Sequence, residues 1–319
     1  MGYIKERKFS MKKPRIGFIG IGVMGAPMSG NLSKAGYTLA LCDINRAASE
    51  KVASEHEGIQ VAETPKAVAE ASDIVITMLP SGKYVRDVAL GESGLIEGFQ
   101  DGALLLDTSS CEPWMTLETA KALSLKGVDM VDAPVSGALI GAETATLVFM
   151  VGGEEEPVSR VMPLLEIMGE QIFHLGPLGA GHTMKCINNI ITAMTFMATA
   201  EGLTIGKQFG LDPEVMTDVL NVSTGMSWIS QTQIKQRILS RKFDDPFKLD
   251  LMVKDIGIAM ELANTKGLPL PLSALGHHLW KAARHFAEEG SAISDMVRWV
   301  EHMTGIELTP VTEGNTISL

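Results

Sequence analysis

The chain has 319 residues, of which 45% are hydrophobic and 20% charged, which is typical of a soluble globular protein with about two domains. Its formal net charge of −11 argues against nucleic acid or an anionic membrane as the main partner, because both attract basic surfaces. No apolar run reaches the roughly 20 uninterrupted residues that a membrane-spanning helix needs. Cys42, Cys111 and Cys186 have no metal-ligand spacing, so we expect reduced thiols, no metal site and a cytoplasmic location.

The amino terminus is basic and precedes the first apolar segment. Residues 1–13 contain four lysines and one arginine but lack the apolar run of a secretory signal. A transit peptide is an alternative, which Glu6 and the low serine content disfavour. We therefore predict a disordered extension over 1–13, with Met11 as an alternative initiator.

A glycine-rich turn follows the first predicted strand, Ile16–Ile19. An apolar-periodic helix runs from the turn to Ala35, and Gly36 is placed as a helix C-cap would be. Strand, glycine turn and helix in this order are typical of a dinucleotide site, in which the pyrophosphate lies on the helix N-terminus. The alternative is a turn that serves packing alone. The residues expected to contact the cofactor are Gly20, Ile21, Gly22, Val23, Met24 and Gly25.

An acidic residue ends the second predicted strand. A carboxylate at Asp43 can accept both ribose hydroxyls of NAD and would repel the 2′-phosphate of NADP. Arg46 is an opposing signal, because a guanidinium could hold that phosphate. A helix N-cap is the structural alternative for Asp43. The sequence favours NAD, with NADP as the alternative.

Strands and helices alternate through the first half of the chain. This rhythm predicts a doubly wound α/β sheet, whose ligands bind beyond the carboxyl ends of the strands. Residues 79–80 and 107–110 then belong to the cofactor cleft, although plain turn chemistry would explain them equally well. The predicted strands cover 38–42, 73–79, 103–106 and 128–131, and the predicted helices cover 66–71, 85–90 and 114–125.

The segment 132–138, DAPVSGA, also follows a predicted strand. It offers the Ser136 hydroxyl and consecutive backbone N–H groups, which suit a carboxylate ligand. A structural turn with a capping serine is the alternative. The residues alone do not decide between the two.

A long apolar helix is predicted between Gly179 and Gly210, and it carries Lys185 and Asn189. Positions i and i+4 share one helix face, so the ammonium and the amide point the same way. A solvated lysine and a helix-interior amide satisfied by a neighbour are the alternatives. Helices are predicted beyond it at 213–220, 227–239, 249–266, 272–288 and 294–304, before a polar, mobile tail.

Four motifs in order resemble the β-hydroxyacid dehydrogenase family, which includes 3-hydroxyisobutyrate dehydrogenase and tartronate semialdehyde reductase. The resemblance implies a Rossmann-type doubly wound sheet followed by an all-α domain, joined by the long interdomain helix. The implied boundaries are 14–176 for the NAD-binding domain, 177–305 for the helical substrate and oligomerisation domain, and 306–319 for the polar tail. The motifs are IGFIGIGVMGAPMSGNL at 16–32, DAPVSGA at 132–138, GAGHTMKCINN at 179–189 and VKDIGIA at 253–259.

The resemblance also implies roles for individual residues. Lys185 corresponds to the catalytic lysine and Asn189 to its amide partner, while Ser136 and Gly137 hold the substrate carboxylate. The family usually has glycine at Ala138, and the added methyl would narrow the pocket or demand ordinary φ angles. The residues implied to touch the cofactor are Leu79, Pro80, Tyr84, Ser110 and Lys254, the last with a surface ion pair to Asp250 or Asp255 as the alternative.

The chemistry so implied is reversible hydride transfer between NAD and a small β-hydroxyacid, or reduction of the matching semialdehyde. Lys185 would act as general acid and base if its pKa falls from about 10.4 towards 7–8. An NADP-dependent semialdehyde reductase of the same family and a non-catalytic binding relative are the alternatives. We expect a homodimer or homotetramer, and we interpret the histidines as core or surface residues rather than metal ligands.

Overall fold

The structure is a computed structural model that describes residues 13–310. These residues divide into two compact units, the first ending at His182 and the second beginning at Thr183. Except for Lys13, which donates to the Ala35 carbonyl at 2.5 Å, the predicted extension lies outside the described residues. Residues 311–319 of the predicted tail also lie outside them.

Within the described residues, the first unit is built on one nine-stranded sheet. Its central strands have the order β3-β2-β1-β4-β5-β6, all parallel, which is the order of a dinucleotide-binding sheet. β8 then pairs antiparallel with β6 and β7, and β9 pairs parallel with β8. The strands are β1 (Ile16–Ile19), β2 (Leu39–Cys42), β3 (Ile59–Val61), β4 (Ile74–Thr77), β5 (Leu104–Asp107), β6 (Asp129–Asp132), β7 (Val135–Ser136), β8 (Leu147–Gly152) and β9 (Gly169–Gly176).

Helices cover both faces of this sheet. Alternate strand residues point to opposite faces, so Leu104 and Leu106 join one core while Leu105 joins the other. α1 and α8 pack on the first face, and α3 to α6 pack on the second. The predicted doubly wound sheet is therefore confirmed. The helices are α1 (Gly25–Lys34), α2 (Arg46–Glu55), α3 (Pro65–Glu70), α4 (Gly82–Leu90), α5 (Leu95–Gly98), α6 (Pro113–Ser124), α7 (Ala138–Glu143) and α8 (Glu155–Met168).

The second unit is helical, as predicted. Its core surrounds Trp280, whose ring meets Phe196 edge to face with 6.0 Å between the ring centroids. Asp212 caps the helix that begins at Pro213, because its carboxylate accepts from the Glu214 N–H. The helices are α9 (Ala180–Gln208), which begins in the first unit, α10 (Pro213–Asn221), a π-helix (Ile229–Leu239), α11 (Leu249–Thr265), α12 (Pro271–Phe286) and α13 (Asp295–Thr304). None of the described helices combines the length and the apolar character required to cross a membrane.

Two features of the fold differ from the sequence predictions. Strands β3 and β7 to β9 were not predicted. β3 and β7 are short, β8 is a continuous apolar run that periodicity alone does not distinguish from a buried helix segment, and β9 is mostly exposed. Residues 306–310 of the predicted polar tail are packed against the second unit. Leu308 is fully buried and donates its N–H to Glu301, and Lys207 donates to the Thr309 carbonyl at 2.6 Å.

Candidate active site

The glycine turn between β1 and α1 has the form that a dinucleotide requires. Gly20 has φ +96°, and a Cβ there would collide with the Met78 carbonyl. A Cβ at Gly25 would collide with the Gly20 carbonyl, so this glycine allows α1 to start close to the turn. Gly22 faces open space and is exposed, as is Val23, which leaves the backbone free for the approach of a phosphate. The turn therefore fits the pyrophosphate of a dinucleotide.

Asp43 supports the same turn from the end of β2. Its Oδ2 accepts from the Ile21 N–H at 2.6 Å and its Oδ1 accepts from the Asn45 N–H at 2.7 Å. Asn45, not Asp43, is the residue at the N-cap of α2. Arg46 is exposed and its guanidinium is paired with Glu50 at 2.7 Å and Glu63 at 3.4 Å. The two residues that bear on cofactor choice thus differ in their surroundings: the Asp43 carboxylate is hydrogen-bonded at the turn, and the Arg46 guanidinium is paired with two exposed carboxylates.

The ends of β4 and β5 are brought together by hydrogen bonds. The Leu79 N–H donates to the Ser109 hydroxyl at 2.9 Å, and the Thr77 hydroxyl donates to Asp107 at 2.9 Å. Ser110 follows on the same loop and is half-buried, and Pro80 is exposed. Tyr84 lies on the first turn of α4 with 53% of its surface exposed. These residues line the carboxyl end of the sheet, where ligands of this fold bind.

The loop predicted to hold a carboxylate is split between β7 and α7. Ser136 ends β7 and is half-buried, and the exposed Gly137 has φ +127°. Ala138 begins α7 with φ +53°, although it carries a methyl group. The expectation that this methyl would demand an ordinary φ is therefore wrong, because the loop holds Ala138 in the left-handed region.

The first turn of α9 is fixed by a buried carboxylate. Asp132 ends β6, and its two oxygens accept from the Gly179 and His182 N–H groups, each at 2.7 Å. Burial raises the pKa of Asp132, and the nearby His182 with the two backbone N–H groups acts in the opposite direction. The loop after β6 and the start of α9 are thereby held together.

His182 is a core residue, as the sequence suggested, but it lies in a cluster that the sequence did not reveal. Asp107, Cys111 and His182 are all buried, and one potential ligand atom of each lies within 4.8 Å of the others. Cys111 Sγ donates to Asp107 at 3.3 Å, and His182 Nε2 donates to the Ser109 carbonyl at 3.1 Å. Since these atoms are used in protein hydrogen bonds, the cluster fits a structural polar network.

Lys185 and Asn189 lie one turn apart on α9. Lys185 is half-buried, whereas the interpretation as a solvated lysine would require exposure. Burial lowers the pKa of the Lys185 amine, the nearby Asp255 raises it, and Lys254 lowers it, with a net effect below the ordinary value of 10.5. The Asn189 amide is buried and satisfied by neighbours: it donates to Asp255 at 2.6 Å and accepts from Asn188 at 3.0 Å.

Asp255 is the residue of this group that the sequence interpretation did not place in the site. It lies on α11 with 1% of its surface exposed, and its Oδ1 is 3.1 Å from Lys254 Nζ. The predicted alternative of an ion pair for Lys254 is therefore present, although the pair lies at a buried carboxylate and not at the surface. The sequence showed a carboxylate next to Lys254. It could not show that Asn189, on another helix, also contacts that carboxylate.

The fold and these side chains define a dinucleotide-binding protein with a lysine and an amide on one helix face. Residues 15–176 match the family described as the NAD binding domain of 6-phosphogluconate dehydrogenase. Residues 179–300 match the family described as NAD-binding of NADP-dependent 3-hydroxyisobutyrate dehydrogenase.

Whole-chain relatives agree with these matches. A 2-(hydroxymethyl)glutarate dehydrogenase of Eubacterium barkeri is 36% identical over 93% of this chain and 98% of its own length. An NAD-dependent L-serine dehydrogenase of Pseudomonas aeruginosa is 35% identical over 84% of this chain and 91% of its own. The structure of 3-hydroxyisobutyrate dehydrogenase of Mycobacterium tuberculosis with L-serine has a TM-score of 0.82 at 31% identity, covering 91% of this chain and 99% of that one.

The chain belongs to the β-hydroxyacid dehydrogenase family. It is accordingly an NAD(P)-dependent oxidoreductase that acts on CH–OH donors.

The left-handed conformation of Ala138 predicts the effect of a substitution on stability. Ala138→Gly should raise the free energy of unfolding by roughly 0.5 to 1 kcal/mol, because relief of the methyl strain exceeds the entropy that glycine adds to the unfolded chain. Urea unfolding followed by circular dichroism measures the change. Ala142→Gly in the same helix is the control and should destabilise, because Ala142 is buried and is not among the positive-φ residues. A destabilised Ala138→Gly variant would contradict the interpretation.

Proposed function

We propose that this protein is an NAD-dependent dehydrogenase of a small β-hydroxyacid, and that Lys185 is its general acid and base. The observation that carries the proposal is the environment of Lys185: its pKa is lowered by burial, and an anchored amide lies one turn further along the same helix face. An amine with a lowered pKa can both accept and release a proton near neutral pH.

The proton transfer can be assigned to the chain's own groups. In the oxidative direction, the neutral amine of Lys185 takes the proton of the substrate hydroxyl, and the bound NAD supplies the acceptor for the hydride. In the reductive direction, the Lys185 ammonium returns the proton to the carbonyl oxygen, so one group serves both directions. Asn189 orients the reacting oxygen by hydrogen bonding.

The substrate class follows from the predicted carboxylate loop and from the relatives. Ser136 and Gly137 would hold the substrate carboxylate, with Ala138 limiting the space beside it. The names of the relatives describe a hydroxymethylglutarate, a hydroxyisobutyrate and a serine. Each of these is a carboxylic acid with a hydroxymethyl group on the carbon next to the carboxyl. We infer that this chain oxidises an acid of the same pattern, or reduces the matching semialdehyde.

The cofactor would be held in the first unit, with NAD preferred over NADP. Gly20, Gly22 and Gly25 form the turn for the pyrophosphate, and Asp43 lies at its side. A carboxylate there repels a 2′-phosphate, while the Arg46 guanidinium is paired with Glu50 and Glu63. The further residues proposed to contact the cofactor are Ile21, Val23, Met24, Leu79, Pro80, Tyr84, Ser110 and Lys254.

Exposed apolar surface on the second unit supports assembly of identical chains. A cavity of about 740 Å³ lies between α9 and α10, lined by residues such as Leu203, Val215 and Val219. Val215 and Val219 are exposed, as is Ile205 on α9. Apolar patches of this kind mark interaction surfaces, and we propose that a second copy of the chain covers this one in a homodimer or homotetramer.

Replacing Lys185 tests the proposed chemistry. Lys185→Met should lower kcat at least about a hundredfold, as expected for loss of a general acid–base group, while NADH affinity stays within about twofold. Turnover is measured with NAD and a panel of 3-hydroxyisobutyrate, L-serine and 2-(hydroxymethyl)glutarate. Lys281→Met, at an exposed lysine of α12, is the matched control. Unchanged turnover in Lys185→Met would rule out the proposed role.

The lowered pKa also predicts a pH profile. Oxidation needs the neutral amine, so kcat/KM for the hydroxyacid should rise with pH and level off above a midpoint below 10.5. Reduction needs the ammonium, so kcat/KM for the semialdehyde should fall through the same midpoint. Initial rates in both directions between pH 6 and about 10.5 measure it. A midpoint at the ordinary lysine value would contradict the burial argument.

Cofactor preference is tested by titration. NADH should bind more tightly than NADPH, measured by nucleotide fluorescence. Asp43→Asn should reduce the preference about tenfold, chiefly by removing the charge that repels the 2′-phosphate. Glu55→Gln is the control, since Glu55 is exposed at the C-terminal end of α2, at the opposite end of that helix from Arg46. Tighter binding of NADPH by the unaltered protein would refute the preference.

The assembly is tested by light scattering coupled to size exclusion. The unaltered chain should have the mass of a dimer or tetramer. A double change, Val215→Asp with Val219→Asp, should lower that mass, because it places two carboxylates in the apolar cavity. Leu125→Asp introduces the same charge at an exposed position of the first unit and should leave the mass unchanged. A monomeric unaltered protein would contradict the proposal.

A further inference from the structure

Asp255 is a buried carboxylate with partners on two helices. Its Oδ2 accepts from the Asn189 amide of α9 at 2.6 Å, and its Oδ1 is 3.1 Å from the Lys254 ammonium of α11. Only 1% of the residue is exposed, so water screens these interactions weakly. A carboxylate in this setting interacts strongly with the polar groups that it contacts.

The contact decides which way the Asn189 amide is turned. An ionised carboxylate can only accept hydrogen bonds, so the atom of Asn189 that faces it must be the NH₂ group. The carbonyl oxygen Oδ1 then points away from Asp255, where it accepts from Asn188. Asn189 therefore presents an acceptor, with its second N–H as the remaining donor, to any group that approaches from the other side.

The same carboxylate places a negative charge near the proposed acid–base group. Burial lowers the pKa of Lys185, and the charge of Asp255 is the largest influence that opposes this lowering. Burial, with a smaller contribution from Asp255, raises the pKa of the Cys186 thiol to about 12. The thiol is thus neutral at physiological pH. The charged groups around Lys185 that matter are then Asp255 and Lys254.

We propose that Asp255 is a positioning residue for the reaction: it fixes the orientation of the Asn189 amide and maintains a negative charge near Lys185. The inference rests on the proposed function for its kinetic consequence, whereas the arrangement itself lies among residues of the second unit. In the proposed reaction, Asp255 contacts neither the group that gives the hydride nor the group that gives the proton. It acts on the reaction through Asn189 and Lys185.

The titratable groups around Asp255 are few, which makes its influence measurable. α9 contributes Lys185 and Cys186, and α11 contributes Lys254. From α12, His277 packs against Gly257 of α11. Burial lowers the pKa of His277, with smaller contributions from Lys281 and His278, and Asp255 is not among the groups that shift it. A change at Asp255 should therefore be detected at Lys185 and at Cys186, and not at His277.

The first experiment measures the Lys185 amine directly and needs no activity. The protein is labelled with ¹³Cε-lysine, its Lys185 resonance is assigned by its loss in Lys185→Met, and its pH titration is followed by NMR. Asp255→Asn keeps a carbonyl acceptor for Asn189 but removes the charge, so the Lys185 midpoint should move to lower pH. Asp250→Asn, the same change on the same helix at an exposed pair with Arg284, should leave the midpoint unchanged. An unchanged midpoint in Asp255→Asn would overturn the charge part of the inference.

The second experiment tests the orientation of the amide by a double-mutant cycle. Rates are compared above the Lys185 midpoint of all variants, where the amine is neutral in each. Asp255→Ala should lower kcat about tenfold or more with a smaller change in KM, because the amide loses its fixed orientation. In an Asn189→Ala background, the same change should have little further effect. Full additivity of the two losses would overturn the orientation part, and circular dichroism of each variant verifies folding.

The outcomes also separate this inference from the proposed function. If NMR shows the expected shift but the unaltered protein oxidises no acid of the panel, the proposed function fails and the electrostatic role of Asp255 stands. If Lys185→Met is inactive while Asp255→Asn and Asp255→Ala match the unaltered protein in midpoint and rate, the inference fails and the proposed function stands.

Discussion

The carboxylate of Asp132 is the constraint on which the ligand-binding end of the first unit depends. It ends a parallel strand, is fully buried, and accepts from two backbone N–H groups: that of Gly179, just before α9, and that of His182 in its first turn. A Cβ at Gly152 or Gly181 would collide with its oxygens or with neighbouring backbone, so only glycine permits this approach. The N-terminal N–H groups of a helix need acceptors, and a buried carboxylate needs donors. Each requirement satisfies the other, and the loop that follows Asp132 is held beside Gly179 and His182 at the start of α9.

A second carboxylate has a comparable role in the second unit, but with side chains in place of backbone groups. Asp255 meets the amide of Asn189 and the ammonium of Lys254, and its charge opposes the effect of burial on Lys185. Two opposing influences of this kind adjust the pKa of the amine, so that the amine is not held in one protonation state. The structure therefore uses buried acids for two tasks: to hold backbone in place and to set the chemistry of a neighbouring base.

Much of this could be predicted from sequence because it is local. The glycine turn, the alternation of strands and helices, the cap at Asp212 and the i, i+4 relation of Lys185 and Asn189 all depend on neighbours within a few residues. Strands β7 to β9 and the burial of Leu308 were missed for the opposite reason. β8 is specified by its pairing with distant strands, and Leu308 by the helices it packs against, and neither leaves a periodic signal in the chain.

The sequence by itself determined the order of the elements, the dinucleotide fingerprint and the residue types available for proton transfer, because backbone geometry and hydrophobic periodicity act over short distances. Only the tertiary structure decided that Asn189 meets Asp255, 66 positions away, and that Asp107, Cys111 and His182 share one buried cluster. It also decided that Ala138 occupies a left-handed conformation despite its methyl group. Such contacts form when distant segments pack together. Burial then strengthens the interactions of each charge and each hydrogen bond, and no local sequence pattern indicates this effect.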